Sequence, residues 1–294
     1  MSRTEFLEKR RSGIGASDVA PIMGLSPWKS ALSVYLDKVE PLAEEPLSPP
    51  LEWGIRKEPV IAAAIADHYP QWEISRLSAI VHKDHDFLAA SPDRINGNGE
   101  LIEIKTARDD RNWGDAETDQ VPDYYWLQCQ HQIEVARSHY PEVELCWLFV
   151  LIGSSDFRRY RVNRDETYFP MALPILTDFW GHVLNKEPPA VDYYNEDARK
   201  ALSRMNRPTE GESVELSSGI ENEVLEYERL GKLITELQES RDIAKAKIIE
   251  EMKTANVGIL PGRTVTRKLV TRKAYEVKES TYTDFRVKLI KGTK

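Results

Sequence analysis

Asp93, Glu103 and Lys105 are the residues whose types and spacing best suit chemistry. They stand in Ser91-Pro92-Asp93 and Glu103-Ile104-Lys105, on either side of Asn96-Gly97-Asn98-Gly99. Asn and Gly tolerate positive φ, so Asn-Gly steps between apolar runs predict a tight β-hairpin. Folding it carries Asp93 beside Glu103. Side chains alternate along a strand, so Glu103 and Lys105 share one face while Ile102 and Ile104 point the other way. Two neighbouring carboxylates repel unless a proton or cation lies between them. Oxygen ligands of this kind suit Mg²⁺ or Mn²⁺. Taken alone, the pattern also fits a solvated hairpin edge closed by a salt bridge.

Four other features bear on the hairpin. Arg10-Arg11-Ser12-Gly13-Ile14-Gly15-Ala16-Ser17-Asp18 combines glycines, an arginine and a serine at an expected helix start. Free N–H groups there favour anions, and arginine offers a fork to phosphate oxygens. An ordinary capped turn reads the same way. Glu52-Trp53-Gly54 leads to Glu58-Pro59, where Glu58 sits on a helix before the sheet, as a metal neighbour or a plain surface acid. Tyr125 precedes Gln128-Cys129-Gln130 on the helix after the hairpin. A Gln amide orients water or a phosphate oxygen, or simply makes a polar helix face. Arg108 and Arg111 follow Lys105 and suit a DNA backbone; Asp109 and Asp110 beside them suit local ion pairs.

In this order and spacing, the residues from Arg10 to Gln130 resemble the phage λ exonuclease and YqaJ viral recombinase family, within the PD-(D/E)XK nuclease superfamily. The resemblance spans residues 10 to about 185. It implies that Asp93 and Glu103 ligate the metal ions, helped by the Ile104 carbonyl, with Glu58 assisting. Lys105 would position and polarise the attacking water, and Gln128 would support the site. Arg10, Ser17 and Ser91 would form the pocket for a 5′-terminal phosphate, with Gln130, Arg108 and Arg111 as further DNA contacts. The implied activity is a 5′→3′ exonuclease that needs Mg²⁺, with Mn²⁺ as a substitute and two ions per site. It would act on double-stranded DNA ends and leave 3′ overhangs. The implied setting is phage or prophage recombination in the cytoplasm of a bacterial host. The implied partners are a single-strand annealing protein and two further copies in a ring-shaped homotrimer.

The elements that must position these residues read as an α/β (α+β) core, a central mixed sheet flanked by helices. A short helix is expected over 1–12, then helices capped by Ser17, over 30–38 and over 51–69, with a loop at 40–50. Strands are expected at 72–82, 86–94 and 100–106, a loop at 107–121, and a helix over 122–139. A hairpin follows at 144–152 and 157–162, then a helix over 165–186 ending before Pro188-Pro189. Residues 1–190 thus form the exonuclease core and 191–218 a polar linker. Residues 219–294 form an extension, with an amphipathic helix of about thirty residues and basic strands at 263–271 and 273–278.

Composition limits the class. The chain has 294 residues, 41% hydrophobic and 30% charged, and no run of eighteen apolar residues, so no membrane span is expected. The first residues lack the apolar core of a signal peptide. Two cysteines, Cys129 and Cys146, cannot build a four-thiolate zinc or iron–sulfur site. Net charge is −8, yet residues 253–294 hold eleven basic and three acidic residues. That segment is +8 and the remainder −16, which suggests a basic tail meeting DNA or the protein's own acidic body. Two other functions fit the same residues. One is a restriction- or repair-type endonuclease reading DNA with residues 253–294. The other is a non-catalytic DNA-end-binding scaffold.

Overall fold

The structure is a computed structural model that describes residues 11–40, 48–271, 279 and 282–287. Arg10, the helix expected over 1–12 and the strand expected over 273–278 lie outside the described residues. The chain divides into two compact units, Met1–Asn206 and Arg207–Lys294.

The first unit holds two sheets. In the smaller, β3 (Leu88–Ala90) lies between β1 (Ile14–Gly15), parallel to it, and β2 (Ile80–Val81), antiparallel. Gly13 is required where β1 meets β3: a Cβ there would come 2.7 Å from the Phe87 carbonyl oxygen. The larger sheet runs β4 (Arg94–Ile95), β5 (Leu101–Ala107), β6 (Leu145–Ile152), β7 (Asp156–Asn163). Only β5 and β6 are parallel, and α4 (Asp123–Arg137) connects them. The long strand expected over 72–82 shrinks to Ile80–Val81, after a 3₁₀ turn at Pro70–Trp72. Glu73 there is left-handed (φ 48°), which breaks extended pairing.

Each face of the larger sheet is covered by one helix. Leu101, Leu148 and Val150 pack with Cys129, Ile133 and Ala136 of α4. Ile102, Ile104 and Phe149 pack with Ile61, Ala62 and Ile65 of α3 (Pro49–His68). The predicted alternation along β5 is therefore realised, with odd-numbered residues toward α4 and even-numbered ones toward α3. A third cluster joins α1 (Ala16–Ile22), α2 (Ala31–Val39) and α5 (Tyr168–Asn185) around Val19, Leu36, Tyr168 and Leu176. Ser30 caps α2 by accepting from the Ser33 N–H. Ser17 does not cap α1. The chain enters the helix one residue early, with Gly15 at the cap, and the Asp18 carboxylate accepts the Gly15 N–H at 3.2 Å.

The expected linker contains a helix, α6 (Glu196–Met205), and the first unit reaches Asn206 rather than residue 190. The segment is polar, but Ala198, Ala201, Leu202 and Met205 recur at helical steps and pack on the core. Asn195 caps it through the N–H groups of Asp197 and Ala198, while Asp197 accepts two bonds from Ser30. A narrow apolar face and a strong cap outweigh the polar average.

The second unit contains α7 (Glu221–Met252), 32 residues long, and a hairpin of β8 (Val257–Leu260) and β9 (Arg263–Thr266). Gly262 makes the turn at φ 73°. The hairpin begins earlier than expected because Pro261-Gly262 closes a two-residue loop. None of the described helices is long and apolar enough to cross a membrane.

Candidate active site

The Asn-Gly segment folds as its composition dictates. Asn96 Oδ1 accepts the N–H groups of Asn98 and Glu100, and Gly99 takes φ 81°. The turn sets Arg94 opposite Ile102 and Ile95 opposite Leu101, which places Asp93 level with Glu103. Asp93 Oδ2 accepts the Ile104 N–H at 2.7 Å, one residue past the end of regular pairing. The Ile104 peptide thus touches Asp93 through its N–H.

Lys105 Nζ lies 2.6 Å from Glu103 Oε1 and 5.1 Å from the Tyr125 ring centroid. Burial favours loss of the lysine proton, but the adjoining Glu103 carboxylate outweighs it and holds the amine charged. Glu103 is 4% exposed and is gripped from α4. Gln128 Nε2 donates to Oε1 at 2.5 Å and Gln132 Nε2 to Oε2 at 2.7 Å. The two glutamines are four residues apart, hence on one helix face. Gln132 went unnoticed in the sequence, although its i+4 spacing from Gln128 was a usable signal.

Asp93 differs. Burial and the facing Glu103 push its carboxyl up to about 7, against the Ile104 hydrogen bond and the Lys105 charge. Gln128, Gln132 and Lys105 all donate to the Glu103 carboxylate, and Asp93 is the strained member of the pair. A cation between them would reverse that strain. Among the described residues no three His, Cys, Asp or Glu side chains gather as a ready ion site. Glu58 reaches the cluster from α3, on the other face of the sheet. Its carboxylate pairs with Arg94 at 2.7 Å, while its charge adds to the repulsion on Asp93. A pair of carboxylates still fits Mg²⁺, which keeps several waters and commonly takes one or two carboxylates plus substrate phosphates.

The remaining expected residues separate. Ser17 and Ser91 are exposed and follow the neighbouring parallel strands β1 and β3, so they emerge on the same edge. Gln130 lies elsewhere than expected. It is fully buried, donates to the Asn163 carbonyl at 2.7 Å and accepts the Asp165 N–H at 2.9 Å. A two-residue step turns it about 200° around the helix from Gln128, so it ties α4 to the segment after β7. Arg111 is held by both oxygens of Asp109, the local-pair alternative. Arg108 is exposed on the same loop.

A mixed sheet between two helices, presenting Asp93, Glu103 and Lys105 on one strand pair, defines the PD-(D/E)XK nuclease fold. An alkaline exonuclease from Laribacter hongkongensis has this fold, with a TM-score of 0.50 at 16% identity over 69% of this chain and 100% of that one. Residues 5–139 match the model of the YqaJ-like viral recombinase domain. The uncharacterized protein YqaJ of Bacillus subtilis (strain 168) is 29% identical over 266 residues, covering 88% of this chain and 81% of that one. An uncharacterized protein of Acanthamoeba polyphaga mimivirus is 29% identical over 149 residues, covering 45% of this chain and 26% of that one.

Proposed function

We propose that this protein is a divalent-metal-dependent deoxyribonuclease that digests one strand of linear duplex DNA in the 5′→3′ direction and leaves 3′ overhangs. The observation that carries the reading is the Asp93–Glu103–Lys105 cluster, with Glu103 fixed by Gln128. Asp93 and Glu103 would hold Mg²⁺, or Mn²⁺ in its place, with Glu58 close by and the Ile104 carbonyl as a further ligand. Bound ions, two per site in this reading, supply charge stabilisation to the attacking and leaving oxygens of a phosphodiester. Lys105 keeps a positive charge where the attacking water must sit and favours its hydroxide form. Tyr125 walls that position against bulk water.

The direction of digestion rests on a 5′-phosphate pocket made by Arg10, Ser17 and Ser91. The juxtaposition of Ser17 and Ser91 at the ends of β1 and β3 favours it. The family setting adds a single-strand annealing protein as partner, a homotrimer around the DNA and a phage-type recombination role in a bacterial cytoplasm. In this reading Arg108 and the basic residues after Lys253 contact the DNA backbone.

One assay tests the proposal. Phosphorylated linear, dephosphorylated linear and covalently closed duplexes are digested with Mg²⁺. Fast release of nucleotides from the first, slow release from the second and none from the third is expected. Cutting of the closed circle indicates an endonuclease. No release from any substrate, with DNA ends still bound, indicates a scaffold.

A further inference from the structure

Trp28 stands in the segment between α1 and α2 and is 62% exposed. Its indole meets the Tyr124 ring edge-on, with centroids 4.7 Å apart. Tyr124 meets Tyr125 in the same manner at 4.6 Å, and the Tyr125 ring faces Lys105 Nζ. Three aromatic rings thus lead without a break from solvent to the lysine of the acidic cluster. Beside them lies a groove of about 680 Å³, lined by Leu25, Pro27, Asn112, Val121, Pro122 and Tyr124.

We propose that this groove, together with the Trp28 indole against Tyr124 at its side, is a stacking site for unpaired nucleobases of the DNA strand that passes the cluster. The proposal deepens the nuclease reading and rests on it. Every base has a π-face, so aromatic platforms bind single strands without regard to sequence. In a duplex those faces are covered by neighbouring bases; only a frayed or digested end offers one. The lining includes the Tyr124 ring and the rigid Pro27 and Pro122, which lose little freedom when a ligand docks, and Trp28 follows Pro27 at its side. Continuity with Tyr125 and Lys105 selects a nucleotide as the occupant, because a strand held at the cluster must run along its rim. Among the described residues Asp123 is the one charged residue of the lining, and no lysine or arginine joins it. Attraction here is therefore apolar, and it adds to phosphate contacts made elsewhere.

That charge pattern gives the test a distinctive readout. The full-length protein is titrated in EDTA, which prevents cutting, with an octathymidylate and with an abasic oligomer of equal length and charge. A phosphorylated duplex serves as a second ligand, and two salt concentrations are used. The wild type is expected to prefer the base-bearing strand. Trp28→Ala should weaken that strand roughly fivefold to 150-fold, the range of one lost stacking contact, and leave the abasic strand unchanged. The weakening factor should be the same at both salt concentrations, whereas loss of a phosphate contact changes the salt slope. Trp28→Phe should recover most of the preference, and Tyr124→Leu should reproduce the loss by removing the ring beneath. Equal binding of both oligomers by Trp28→Ala and wild type overturns the stacking site while duplex binding keeps the nuclease reading intact. Failure of the wild type to bind any of the three ligands overturns both.

Discussion

The Gln132 side chain donates its amide to Glu103 Oε2 at 2.7 Å, opposite the Gln128 bond to Oε1, so both carboxylate oxygens are fixed by one helix face. The Gln132 amide is itself oriented by the Cys146 thiol, whose sulfur lies 3.7 Å from Oε1. A carboxylate gripped at both ends cannot turn.

Gln132→Met keeps the side-chain volume and removes the donor. It should weaken Mn²⁺ binding by about 10- to 100-fold, the usual cost of losing a partner behind a metal ligand. Calorimetric titration of the DNA-free protein measures this. Gln130→Met, on the buried opposite face, should lower the melting temperature and leave ion affinity within about twofold. Equal ion affinity in the Gln132 variant and wild type refutes the clamp.

Asp93 predicts a stability that falls as pH rises. Its folded carboxyl sits up at about 7, above the ordinary 3.8. Between those values Asp93 binds more protons in the folded state than in the unfolded chain, so in EDTA its contribution to stability declines from pH 4 to pH 7. The loss is on the order of a few kcal/mol. Asp93→Asn should remove this contribution, and saturating Mg²⁺ should suppress it. Urea unfolding at pH 5 and pH 8 decides the matter.

His131 works in the opposite sense. Burial pushes its imidazole down to about 4, and its Nε2 has no hydrogen-bond partner among the described residues. The unfolded chain takes up a proton near 6.5 that the folded protein refuses, so stability falls as pH drops from 6.5 to 4. The contribution is on the order of 3 kcal/mol. The two contributions oppose each other across nearly the same window and largely cancel in the wild type. Asp93→Asn should uncover acid lability, and a further His131→Leu exchange in that variant should remove it. Acid lability unchanged in the double variant would assign it to other groups.

Lys38 and Asp18 form an ion pair at 2.7 Å with side chains 3% and 2% exposed. Removing one partner strands the other charge, at a cost of about 3–5 kcal/mol. Lys38→Met should therefore destabilise the fold by that amount in urea. Asp18→Leu combined with Lys38→Met should cost much less. Since Asp18 also holds the Gly15 N–H at the start of α1, the single variant should further loosen Ser17, seen as faster hydrogen exchange at residues 15–19.

Much of this was legible in advance because it is local. Asn96 to Gly99 forces a turn whatever surrounds it, and strand alternation then puts Glu103 and Lys105 on one face and Ile102 and Ile104 on the other. The long helices announced themselves through period and length. What resisted reading was short or non-local. The strand expected over 72–82 lost to the left-handed Glu73. Helix α6 was concealed because four small or apolar residues in a polar stretch acquire meaning only against a core to cover.

The sequence by itself determined which residue types meet: an acidic pair, an amine and an Asn-Gly turn need only chain geometry within a dozen residues. Tertiary structure decided what each acid feels. Whether Glu103 is clamped, Asp93 strained or Glu58 diverted to Arg94 depends on helices whose residues lie 25 or more positions away and pack on opposite faces of the sheet. Electrostatic environment is a property of packing, and packing is not written in spacing.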